Sequence, residues 1–140
     1  MFRAETSLRR WLIRNVPGHW QAVESTATSS GIPDVNFAIG GVEGWLELKV
    51  CTVRKGRVSR IKLRKEQYAW ITRRRIVGNG WAGVLVGLSD GGLLGFSSPF
   101  ALERILSLNT TTDATVFCRF ADLVAWKGEI NLLTDWLKTR

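Results

Sequence analysis

Residues 31–50 read GIPDVNFAIGGVEGWLELKV. Two runs rich in β-branched and aromatic residues flank Gly40-Gly41, the pattern of two strands joined by a tight turn. The predicted strands are about Asp34–Ile39 and Gly44–Val50. If only Gly40 and Gly41 form the turn, Ile39 faces Val42, Phe37 faces Gly44, Asn36 faces Trp45, Val35 faces Leu46 and Asp34 faces Glu47. A longer loop through Gly44 would shift that register. Opposed residues share one side of a sheet, with Cβ atoms roughly 5 Å apart. Alternation then puts Trp45, Glu47 and Lys49 on one side, and Leu46, Leu48 and Val50 on the other.

Two opposed carboxylates repel each other, and a cation between them relieves the repulsion. Oxygen ligands at that spacing suit Mg²⁺ or Mn²⁺, which take few protein ligands and keep several waters. Lys49, on the same side, is placed to orient or deprotonate an attacking water, or to neutralise a phosphate. A plainer reading makes Glu47 and Lys49 the solvated face of a strand and Asp34 a strand start after Pro33. His19 is the only histidine, which excludes centres built on several His ligands. Cys51 and Cys118 form no CxxC pair and fit structural thiols in a reducing, cytoplasmic setting.

Working outward, a helix is predicted over about Arg3–Asn15. Leu8, Trp11 and Leu12 form its apolar stripe, and Pro17-Gly18 ends it. Glu5, three residues before Leu8, is expected on the inward face. A strand over about His19–Thr26 precedes the hairpin, and Glu24 on it is either a surface acid or an approach to the site from the sheet edge. A helix over about Arg64–Ile76 places Gln67 among Leu63, Trp70 and Ile71. A buried amide needs partners. Backbone capping of the helix start is one reading, and support of Lys49 or a phosphate is the other. AGVLVGLSDGGLLGFSS (82–98) reads as two strands around a Gly-rich turn. Ser98 and Pro99 mark N-cap and N1 of a short helix reaching about Leu108. NTTTD (109–113) reads as a loop, 115–120 as a strand, and Glu129–Lys138 as a helix with Ile130, Leu133, Trp136 and Leu137 on one stripe. The sum is one 140-residue domain of mixed α/β class, with a core over about 4–98 and a C-terminal extension over about 99–140.

Twenty Lys and Arg against 12 Asp and Glu give a formal charge of +8 and a pI of about 10.3. A compact basic chain points to a polyanionic partner. RKGRVSRIKLRK (54–65) concentrates Arg54, Lys55, Arg57, Arg60, Lys62, Arg64 and Lys65 directly after Lys49. Arg73 and Arg74, in RRR (73–75), add to them. This is either a solvated charged loop or a phosphate-tracking surface that holds DNA beside the acids. No run approaches the roughly 18 apolar residues of a spanning helix. The charged start MFRAETSLRRWLIRN does not read as a signal peptide. Of the seven Trp, Trp11, Trp70 and Trp136 fall on helical apolar stripes. Trp45 shares the Glu47 side, for packing or for stacking on a base.

PD at 33–34, ELK at 47–49 and Gln67 in RKEQYAWI together resemble the PD-(D/E)xK nucleases. The surrounding pattern, with Glu5 on a first helix, SGIPDV and WLELK, is similar to the small Holliday-junction-resolvase and VRR-type branch over about Ala4–Leu88. The resemblance implies a restriction-endonuclease-like αβββαβ core with extra C-terminal strand and helices. It implies a Mg²⁺- or Mn²⁺-dependent endonuclease with the metal on Asp34, Glu47 and the Leu48 backbone carbonyl. Glu5 would be an accessory acid at the metal, Lys49 would assist the water, and Gln67 would support the site. Small size favours shape over sequence in substrate choice, hence branched DNA cut by a homodimer. Its dimer contact would come from VFCRFADLVAW (116–126) or the 130–137 stripe, unless these pack on the core. The competing readings are a nuclease of single strands, flaps or plain duplex, and a basic DNA-binding module with a vestigial site.

Overall fold

The structure, a computed structural model, describes residues 1–23 and 31–139. Helix α1 (Glu5–Asn15) leads into strands β1 (His19–Ala22), β2 (Val35–Ile39) and β3 (Val42–Cys51). A small hairpin, β4 (Val53–Arg54) and β5 (Arg57–Val58), precedes α2 (Lys65–Thr72), which runs on as a π-helical segment, Arg73–Val77. The chain continues through β6 (Trp81–Leu88), β7 (Gly92–Phe96), α3 (Pro99–Ile105), β8 (Thr112–Asp113), α4 (Ala114–Phe120), β9 (Leu123–Trp126) and α5 (Ile130–Leu137). Glu24 and the end of the predicted first strand lie outside the described residues. No helix among those residues is long and apolar enough to cross a membrane.

The main sheet has the order β1-β2-β3-β6-β7-β9 and is antiparallel except between β3 and β6. Strand β6 is buried along its whole length, which accounts for its unbroken apolar run, since a central strand is covered on both faces. Gly40 and Gly41 carry φ values of 55° and 82°, the two positive values that a type I′ turn requires. This turn fixes the pairing Ile39–Val42, Phe37–Gly44, Asn36–Trp45 and Val35–Leu46. Asp34 precedes the first paired residue, and the same register carried one step beyond Val35–Leu46 sets it level with Glu47.

Helices α1 and α5 cover one face of the sheet. Leu8, Leu12, Leu133, Trp136 and Leu137 pack there with Leu46, Leu48 and Leu85. Helices α2, α3 and α4 cover the other, where Ile71, Leu102 and Phe117 meet Val84, Val86 and Phe96, with Trp45 at the margin. Each fully buried Leu or Phe contributes about 1.5–3 kcal/mol. Ser98 caps α3 by accepting from the Ala101 N–H at 3.1 Å.

Several elements differ from expectation. The segment 115–120 is helix α4, not a strand. Asp113 caps it by accepting from the Thr115 N–H at 2.8 Å, and Val116, Phe117 and Phe120 supply a helical stripe for the second cluster. The strand of that region begins at Leu123 instead. The basic segment after Lys49 is not a plain loop. Its β4–β5 hairpin takes β8, from the expected NTTTD loop, as a third strand. The stripe Leu133, Trp136 and Leu137 is buried in the core and so is not free for a partner chain.

Candidate active site

Glu47 sits in the middle of β3 with 2% of its surface exposed. Its Oε2 accepts from Gln67 Nε2 at 3.0 Å and lies 3.5 Å from Lys49 Nζ. Its Oε1 is buried with no hydrogen-bond partner among the described residues. Asp34, half-buried, accepts from the Leu48 backbone N–H at 2.8 Å through Oδ2. That bond ties the end of the Pro33-Asp34 segment to β3. The other anchor is Gly31, at φ 88°, where a Cβ would stand 2.3 Å from the Glu66 carbonyl oxygen. Only glycine permits so close an approach to α2, and the approach carries Asp34 to the Glu47 side chain.

Burial first, and then the Asp34 charge, push the Glu47 carboxyl from 4.5 up to about 8, against the pull of Lys49. A carboxylate desolvated beside a second carboxylate is costly unless a cation joins it. The donor set is all oxygen, one buried oxygen has no partner, and the Leu48 side chain belongs to the opposite core, leaving its backbone at the site. No group of three or more His, Cys, Asp or Glu gathers among the described residues. With its all-oxygen donors and the unpartnered Glu47 Oε1, the Asp34–Glu47 pair fits a hard divalent cation that takes few protein ligands and keeps its waters, as Mg²⁺ does.

Of the two readings of Gln67, the structure shows the helix cap. Its Oε1 accepts from the Arg64 N–H at 3.0 Å, capping α2, while its amide donates to the site. The group it reaches is Glu47, not Lys49. Glu5 departs from expectation: α1 packs on the Leu46–Leu48 face, and Glu5 is exposed in its first turn. It nevertheless lines, with Lys49, Arg60, Lys62, Thr52, Ser59 and Thr111, a cleft of about 530 Å³ that opens beside Lys49.

Arg60 and Lys62 thus face the cleft. Arg54, Lys55 and Arg57 ride on the β4–β5 hairpin, and Arg64 and Lys65 begin α2; all seven are exposed, and none forms an ion pair among the described residues. Arg57 is partly engaged, donating to the Thr111 carbonyl at 3.2 Å. Arg73 and Arg74 lie apart from these, on the π-helical segment. Thr52, Ser59 and Thr111 were not apparent from sequence. Thr111 reaches the cleft through the β5–β8 pairing, which has no local signal.

No protein-family model matches the sequence, and no curated protein matches it. Among solved structures the chain is similar to Hjc, a Holliday junction resolvase from the hyperthermophilic archaeon Archaeoglobus fulgidus. The TM-score is 0.52 at 16% identity, over 82% of this chain and 89% of that one. The chain shares the mixed α/β fold of that resolvase. At this identity the likeness is one of fold. Within that fold, PD (33–34) lies at the approach to β2 and ELK (47–49) lies on β3.

Proposed function

We propose that the protein is a metal-dependent DNA endonuclease, with branched DNA as its leading substrate. The observation that carries this reading is the buried Glu47 carboxyl, with one oxygen unpartnered, set against Asp34 and Lys49 beside a basic cleft. Asp34, Glu47 and the Leu48 backbone carbonyl would hold Mg²⁺ or Mn²⁺. Such a cation supplies charge neutralisation at the phosphate and activation of the attacking water.

The chain's own groups then divide the work. Lys49 presents its amine where water or a phosphate oxygen enters from the cleft. Gln67 fixes Glu47 Oε2, so that the carboxylate keeps one orientation. Arg60 and Lys62 hold the backbone on either side of the scissile phosphate. In the reaction water adds to phosphorus, the bond from phosphorus to one deoxyribose oxygen breaks, and that oxygen leaves with a proton. The remaining basic residues add charge without reading sequence.

Symmetric cutting of a junction requires two sites, hence a C2 homodimer. With the α5 stripe spent in the core, the remaining C-terminal candidate is the β9 edge, where Val124 and Trp126 are 49% and 54% exposed. The test is cleavage of a four-way junction, a flap, a single strand and a duplex at equal concentration in Mg²⁺. Preferred cutting of the junction supports the resolvase reading. Preferred cutting of flap or single strand replaces it, and no cutting of any DNA overturns the nuclease.

A further inference from the structure

Two residues before Glu47 on the same side of β3, Trp45 packs edge-on against Trp70 of α2, with ring centroids 5.3 Å apart. One helical turn beyond Trp70, Arg74 lies over the Trp70 ring at 4.6 Å and over the Trp45 ring at 5.6 Å. The stem of Arg74 is held as well. The Gly80 N–H donates to its carbonyl at 3.0 Å, and Gly80 carries no side chain against its Cδ. Arg74 is exposed, with its guanidinium carbon over the aromatic pair. The segment that carries it is π-helical, a departure from regular helix that is frequent at functional sites. Beside it Trp70, Arg73, Arg74, Val77 and Gly78 line a shallow hollow of about 230 Å³, below the roughly 300–1,000 Å³ of a small-molecule pocket. Val77 is 79% exposed at its rim. No acidic residue lines the hollow.

We infer that Arg74, Trp70 and Trp45 form a stacking platform for an unpaired base next to the scissile phosphate, so that this surface selects DNA with an unpaired nucleotide at the cut. The inference rests on the nuclease reading of the Glu47 site. Bases out of a duplex stack on aromatic rings and on guanidinium planes, and flanking cations hold the strand. Trp45 is about 7 Å along β3 from Glu47, at roughly 3.3 Å per residue. That is about two stacked nucleotide steps of roughly 3.4 Å. A fully paired duplex keeps its base faces covered and gains only the Arg73 and Arg74 charges.

The experiment measures binding in EDTA, so that it does not depend on cleavage. Fluorescence anisotropy compares a labelled duplex with the same duplex carrying a single-stranded arm, the arm holding 2-aminopurine at the branch. Trp70→Ala should weaken arm-bearing DNA by roughly 5- to 150-fold, leave the duplex within about twofold, and abolish the change in 2-aminopurine emission. Arg74→Ala, on the surface and independent of the core, should weaken the same DNA by roughly 2- to 30-fold. Trp70→Phe should retain most of the preference. Equal losses on both DNAs, no loss in either variant, or no preference in the parent protein would overturn the platform while leaving the nuclease reading intact. Failure of the parent protein to bind any DNA would overturn both.

Discussion

Glu47 is a carboxyl whose surroundings favour the proton. Its folded value of about 8 lies above the ordinary 4.5, so between these values the folded protein holds a proton that the unfolded chain has released. The stability it contributes is complete below about pH 4.5, declines as pH rises toward 8, and is gone above that. Without divalent metal, melting temperature should therefore fall from pH 5 to pH 8 by more in the parent protein than in Glu47→Gln. Added Mg²⁺ at pH 8 should raise it in the parent protein alone. Parallel pH curves for the two proteins would contradict this. Gln67→Ala should cost about 1–3 kcal/mol by calorimetry, because it strands the Arg64 N–H and leaves Glu47 Oε2 with Lys49 alone. The placement of Asp34, Glu47 and Lys49 followed from strand alternation and a Gly-Gly turn, both local rules. The Gln67 partner was not legible, because it depends on how α2 docks on a strand twenty residues earlier in the chain.

Elements with local punctuation were readable. Ser98-Pro99 marked α3, and Pro17-Gly18 marked the end of α1. Residues 115–120 carry Thr, Val and Phe, which favour strands, but the Asp113 cap and the i, i+1, i+4 placement of Val116, Phe117 and Phe120 make them helical. The basic segment shows the same limit. Its charges were visible, while its three-stranded order comes from β8, some fifty residues on. That order points Arg60 and Lys62 at the cleft. Replacing both with Ala should lower the log–log salt slope of DNA binding by about two, each phosphate contact being worth about 0.9. Titrations between low and moderate salt check this, and an unchanged slope would place both residues in solvent.

At the scale of the whole molecule, the first and last thirds of the chain meet in one sheet. Strand β9 joins β7 at one edge and β1 forms the other. The C-terminal region had no motif to identify it, and its apolar stripes could equally have served a core or a partner. Burial of Leu133, Trp136 and Leu137 assigns α5 to the core, leaving the exposed face of β9 for the proposed dimer. Sedimentation at micromolar concentration should show a dimer that Val124→Glu with Trp126→Lys converts to monomer. A parent protein that stays monomeric with junction DNA would remove paired cutting. The central claim is that Asp34 and Glu47 together make a metal-dependent phosphodiesterase. It is tested most directly by cleavage of a labelled four-way junction in Mg²⁺, in EDTA, and in Mg²⁺ with Asp34→Asn of unchanged circular dichroism. The account predicts cutting in the first reaction alone; equal cutting by Asp34→Asn, or undiminished cutting in EDTA, would contradict it.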